Sequence, residues 1–197
     1  MSRKKATIIL LGLAIGLLSA FYFVNFLYKR STLISFDTSV TLDQQEREVR
    51  KALPVRLRIP KLEVDALVES VGLTSGGAMG VPEGPLEVAW LNLGPRPGEI
   101  GAAVIAGHRG WKNGQSAVFD NLDKLREGDN LYIETLGGQS LTFVVREIRV
   151  YDYDAYAPEV FSSLEGIHLN LVTCVGAWNI IRRASEERLV VFTDLVY

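Results

Sequence analysis

A single cysteine, Cys174, stands among the 197 residues, so no disulfide can form within the chain and no cysteine-rich metal knuckle can be built. The two histidines, His108 and His168, are too few for an imidazole-rich site, and neither a metal nor a cofactor is expected. Excess charge of one sign is also missing. With 21 basic against 23 acidic side chains the net charge is −2, and no basic stripe interleaves with aromatics, which excludes the electrostatic footprint of a nucleic-acid binder. Internal repeats are absent, and 197 residues accommodate one ordinary domain plus an anchor rather than two separate cores.

Only one long apolar run is present. Ser2-Arg3-Lys4-Lys5 precedes the uncharged stretch from Ala6 to Tyr28, which at about 1.5 Å per residue reaches about 34 Å and can cross a hydrocarbon core of about 30 Å. Residues 1–30 are therefore expected to be a cytoplasmic tip and transmembrane helix. Arg3, Lys4 and Lys5 favour an internal N-terminus, with Lys29 and Arg30 weakening the asymmetry. A cleaved signal peptide would be shorter in its apolar region, and a cut after Ala20 would set Leu18 where a small side chain is required. The expected placement is a single-pass cell-membrane protein with everything beyond residue 30 outside the cytoplasm. Residues 31–52, polar and without glycine or proline, read as a juxtamembrane spacer.

From Leu53 to Tyr197 the pattern is β-rich. Val55–Ile59 alternates apolar and basic residues, Pro60-Lys61 interrupts, and Val64–Val71 resumes. Glycine and proline from Gly72 to Gly98 imply loops around a short segment at Val88-Ala89-Trp90, and Ile100–Ala106 is a small-residue run suited to a buried strand. Val118, Leu122 and Leu125 share a face and predict a short helix stopped at Gly128. Leu131–Thr135 and Leu141–Val150 around Gly137-Gly138 predict a hairpin, and Ile167–Cys174 and Leu189–Val196 supply two more strands. About eight strands, one or two short helices and no βαβ rhythm predict a mainly β, antiparallel-rich barrel.

A lone cysteine outside the cytoplasm is either an inert packing residue or a thiol kept for chemistry. As a nucleophile it acts as thiolate, and a free thiol with pKa about 8.5 needs electropositive partners. His108, in Ala106-Gly107-His108-Arg109-Gly110, sits at a strand end between glycines, where catalytic groups are commonly presented. His168 shares strand parity with Cys174 but lies six residues earlier, about 20 Å along an extended chain, and reads as a hydrogen-bonded or surface strand residue. Arginine can supply forked N–H donors to an oxyanion. If residues 175–187 form a loop between antiparallel strands, Arg188 returns beside Cys174, whereas Arg182 and Arg183 fall mid-loop.

These residues resemble the sortase family of cysteine transpeptidases, which anchor proteins to the Gram-positive cell wall. Leu171-Val172-Thr173-Cys174 resembles the family's Thr-Leu-x-Thr-Cys signature, Ala106-Gly107-His108 its histidine segment, and Arg188-Leu189-Val190-Val191 its arginine-led last strand, in the same order along the chain. Arg58-Ile59-Pro60-Lys61, Trp90 with Gly94-Pro95-Arg96-Pro97-Gly98-Glu99-Ile100-Gly101, and Phe119 through Leu125 to Gly128-Asp129 extend the similarity. Asn170 stands where the signature often has threonine, a departure expected to affect strand packing rather than chemistry.

The resemblance implies an eight-stranded sortase-type barrel over residues 53–197. It implies that Cys174 attacks a C-terminal LPXTG-like sorting signal on surface proteins, forming a thioacyl enzyme, and that an amine of a peptidoglycan precursor or a pilin resolves it. His108 would be the acid and base, and Arg188 would hold substrate and the oxyanion, aided by the Thr173 hydroxyl. A bell-shaped rate profile follows. Class D, E or F is the expected subgroup, because residues 152–166 are too few for the class B helical insertion and residues 31–52 lack the class C lid. Two rivals remain open: a non-catalytic anchored barrel binding wall components, and a hydrolytic cysteine protease using the same residues.

Overall fold

The computed structural model describes residues 18–29, 44–47, 49–50, 52–181 and 184–196. The chain divides into two compact units, Met1–Glu48 and Val49–Tyr197. In the first, residues 18–29 and 44–47 are helical and exposed. Residues 6–17 of the expected membrane span, and most of the expected spacer, lie outside the described residues; among those described, no helix is long and apolar enough to cross a membrane.

In the second unit, strands β1 (Pro54–Ile59), β2 (Val64–Val71), β3 (Val88–Leu91), β4 (Gly101–Gly107), β5 (Asn130–Thr135), β6 (Ser140–Asp152), β7 (Ile167–Asn179) and β8 (Ala184–Val196) form a closed barrel. Around the barrel the order is β1-β2-β3-β4-β7-β8-β6-β5, with β5 closing onto β1. Six pairings are antiparallel, while β2–β3 and β4–β7 are parallel. Closure removes the unpaired edges that an open sheet would expose.

Alternation decides the inside. Leu57, Ile59, Ala103, Ile105, Leu131, Ile133, Phe143, Leu169, Leu171, Leu189 and Val191 interlock with Phe119, Leu122 and Leu125 in one buried core. The odd-numbered positions of β4, β7 and β8 thus point inward, and the even ones face out. β4 is buried along its whole length, and the β6–β7 connection covers the outer face of β7 and β8. There Val160 packs on Val190 and Phe192, with Tyr151, Ala157 and Val172 against them.

Three expectations are corrected. The helix predicted over residues 118–125 is only a 3-10 turn at Leu122–Lys124. The Asp120 carboxylate accepts from the N–H groups of Gly110 (2.6 Å) and Ala117 (3.0 Å), so local side-chain bonds set a turn in place of a helix. Among the described residues from Pro54 onward, helical structure is four three-residue 3-10 turns rather than one or two helices. The expected loop over residues 175–187 is instead mostly strand, since β7 runs on to Asn179 and β8 begins at Ala184.

Candidate active site

β7 lies between β4 and β8, so the register of two ladders sets the site. In the parallel ladder Ala106 faces Val172, and the Thr173 hydroxyl donates to the next carbonyl, Gly107 O, at 2.8 Å. His108 is the residue that follows β4, two beyond Ala106, as Cys174 is two beyond Val172 on β7. In the antiparallel ladder Cys174 faces Arg188 directly, and directly opposed residues bring their Cβ atoms to about 5 Å on one face. Cys174 and Arg188 occupy outward positions of β7 and β8, and both, like His108, are half-buried. Cys174 and Arg188 are thus paired on adjoining strands, and His108 directly follows the strand on the other side of β7.

His108 is held on three sides. Its carbonyl accepts the Phe119 N–H at 2.9 Å, its ring lies 4.6 Å from Trp111 at 56°, and Nε2 is 2.9 Å from the Pro82 carbonyl. A carbonyl can only accept, so this bond assigns the proton to Nε2 and leaves Nδ1 of the neutral ring as the free acceptor. No hydrogen bond joins His108 to Cys174 among the described residues. Gly107 is forced by packing: a Cβ there would sit 2.4 Å from the Phe119 ring and 2.8 Å from Val118.

Arg188 curls along its own strand, Nη1 donating to Ser185 O (3.0 Å) and Glu187 O (2.8 Å), while its Cζ lies 4.7 Å from the centre of the Tyr153 ring. Just past Cys174 the ladder shifts by one residue between Val175 and Trp178, a bulge at which Gly176 takes φ 77°.

The other expected residues fall elsewhere. Thr173 is buried on the inward face and its hydroxyl donates to Gly107 O, so it braces the β4 end that carries His108. His168 is occupied far along β7: Nε2–H donates to Glu165 O at 2.8 Å, and Nδ1 is 2.7 Å from Asp194 Oδ1. Arg182 and Arg183 lie outside the described residues. Asn170, 1% exposed, does more than pack: its Nδ2 donates to Val160 O at 2.7 Å and ties the β6–β7 connection to the cysteine strand. At that connection Tyr151 donates to Glu159 at 2.9 Å. Burial raises the Tyr151 pKa, Arg149 opposes the rise and Glu159 reinforces it; the Glu159 pKa is lowered by its own backbone N–H and then by Tyr151. Sequence reading missed Pro82, Trp111 and Tyr153. Trp111 is signalled by its place three residues after His108, whereas Pro82 and Tyr153 carry no local signal. Among the described residues, no group of three His, Cys, Asp or Glu side chains is placed to hold a metal ion.

Comparison with known proteins completes the picture. The family profile described as Sortase domain matches residues 57–196. Sortase C1 of Group B Streptococcus pilus island 1 superposes with a TM-score of 0.55 at 26% identity, covering 72% of this chain and 63% of that one, so the match spans less than two thirds of its length. The Streptococcus agalactiae sortase C1 complex with MTSET gives 0.56 at 27% identity, covering 72% and 68%. Sortase C-1 from Actinomyces oris gives 0.58 at 24%, covering 73% and 75%, and at that identity supports the fold alone. No curated protein sequence gives a significant match.

Proposed function

The chain belongs to the sortase family, and on that premise we propose that it is a membrane-anchored transpeptidase acting on a C-terminal LPXTG-like sorting signal of surface proteins. The observation that carries this reading is that Cys174 faces Arg188 across the β7–β8 ladder, while His108 directly follows β4, the strand paired with β7 on its other side. The Cys174 thiolate attacks the scissile carbonyl carbon, and the Arg188 fork steadies the oxyanion. The C–N bond breaks as His108, protonated, gives its proton to the leaving amine. An acceptor amine of a peptidoglycan precursor or a pilin then loses a proton to His108 and attacks the thioester, expelling the cysteine sulfur. One acyl bond is exchanged for another, and neither oxidant nor nucleotide is consumed.

Residues 6–28 would anchor the enzyme with its N-terminus inside, placing the barrel outside the cytoplasm. Class D or its E and F relatives remain our assignment. It is supported by the β6–β7 connection, where the only helical piece among the described residues is the turn Pro158–Val160.

The test is to incubate the full chain in detergent micelles with a quenched sorting-signal peptide, with and without an added amine. Cys174→Ala and His108→Ala run alongside. Wild type is expected to form amine-linked product and both variants none. Equal cleavage by Cys174→Ala overturns the enzyme, and cleavage without any amine-linked product reassigns it as a hydrolase.

A further inference from the structure

We propose that Tyr153 is the positioning residue for Arg188, its ring fixing the guanidinium plane so that the unused N–H fork is presented beside Cys174. The inference rests on the transpeptidase reading above. β8 is shared by two ladders: Arg188 faces Cys174 on β7 and Tyr151 on β6. One step beyond the last β6–β8 pair, Asp152 with Glu187, the Tyr153 N–H donates to Glu186 O at 2.7 Å and prolongs the ladder. Tyr153 therefore keeps the facing of Tyr151 and becomes the diagonal neighbour of Arg188, within reach of an aromatic side chain. The contact follows: Cζ stands 4.7 Å from the ring centre, inside the range in which a guanidinium is drawn to an aromatic face.

Donor counting gives the contact a purpose. A guanidinium has five N–H donors in a rigid plane. Nη1 is occupied by Ser185 O and Glu187 O, and among the described residues nothing accepts from Nε or Nη2. Those two nitrogens form the fork that suits a carbonyl or oxyanion. The strand carbonyls fix one corner of the plane, and the ring fixes its tilt. Tyr153 is also the first residue after β6, so the connection that covers the outer face is linked to the arginine through it.

The full chain in micelles is compared with Tyr153→Phe, Tyr153→Leu, Arg188→Lys and the double variant Tyr153→Leu/Arg188→Lys. Two readouts are taken. The Arg188 Nε–Hε NMR signal, assigned by its loss in Arg188→Lys, reports stacking through ring-current shift whether or not the protein turns over peptide. Steady-state kinetics report the consequence. Tyr153→Phe should keep the shifted signal and kcat within about twofold. Tyr153→Leu should lose the shift and lower kcat about tenfold with KM within about twofold, the pattern of a lost transition-state contact. In the Arg188→Lys background, Tyr153→Leu should change kcat less than about twofold. An unmoved Arg188 signal in Tyr153→Leu, or an equal kcat loss in both backgrounds, overturns the proposal. If wild type turns over no peptide, the transpeptidase reading fails, and the NMR arm still decides the stacking.

Discussion

Gly107→Ala is the most informative single substitution, because it strikes the joint between the barrel core and His108, the histidine proposed to be catalytic. The added methyl would lie 2.4 and 2.6 Å from two Phe119 ring carbons and 2.8 Å from Val118 Cγ1. Phe119 is fully buried and its N–H holds the His108 carbonyl, so it cannot swing aside without moving the histidine. Overpacking of this kind costs about 1–3 kcal/mol, and loosening the Thr173–Gly107 bond adds about 1 kcal/mol. A loss of about 2–4 kcal/mol lowers the Tm of a domain this size by about 5–15 °C. Turnover should fall by more than about tenfold even at temperatures where the protein stays folded, since displacements near 1 Å are costly to a reacting constellation. Gly110→Ala is the control: nothing lies within 4 Å of its added methyl, and only its φ of 66° opposes the change, so a smaller loss of about 1 kcal/mol is expected. Scanning calorimetry together with peptide cleavage measures both. A Gly107→Ala protein that melts within about 2 °C of wild type refutes the packing account.

Thr173→Val, nearly isosteric, should lower Tm by about 2–4 °C through the lost bond to Gly107, because the hydroxyl serves the strand joint; calorimetry decides. His168→Gln should keep at least half of wild-type turnover, since His168 is occupied by Glu165 and Asp194 about 20 Å along the strand from the thiol; a loss resembling that of His108→Ala would refute the assignment. Glu99 gives a pH prediction. Burial alone would raise its pKa, but the side chain, backbone N–H and charge of Arg96 hold it below the usual value. A depressed carboxylate stabilises the fold above its unfolded pKa of about 4.3 and loses that contribution as pH falls through the lower folded value. Melting curves of wild type and Glu99→Gln should therefore differ at neutral pH and converge as pH falls through the lowered folded value.

Strands were legible wherever alternation was strong. The basic-apolar beat of Val55–Ile59, the small buried run ending at Ala106, and the hairpin at Gly137-Gly138 each match an observed strand or turn. Partnership was not legible, because periodicity says which face a residue takes and nothing about which strand lies beside it. The insertion of β7 between β4 and β8 is a property of closure. For the same reason Arg188 could be picked from a hairpin between sequence neighbours, whereas Tyr153 could not. It reaches Arg188 through the β6–β8 ladder, across a connection whose length conceals the pairing. The false helix at residues 118–125 arose because Leu122 and Leu125 do enter the core together, as a helical stripe would, while the Asp120 side chain sets the backbone.

Asn170 shows how a departure from a signature can be read physically. On an outward position of β7 it is nonetheless buried, and its one bonded end reaches Val160 in the connection above. Its Oδ1 has no partner among the described residues, so the residue carries an unsatisfied acceptor, which costs about 1–3 kcal/mol. A threonine would have a single hydroxyl on a shorter stem, less able to reach the same carbonyl. Asn170→Leu removes donor and orphan together, so global stability should change by less than about 1 kcal/mol. Amide exchange across residues 157–163 should nonetheless quicken by about fivefold, the equivalent of one lost hydrogen bond. If exchange there is unchanged while Tm falls by 5 °C or more, Asn170 is a packing residue, and the anchoring of the connection must be sought in the Val160–Phe192 contact.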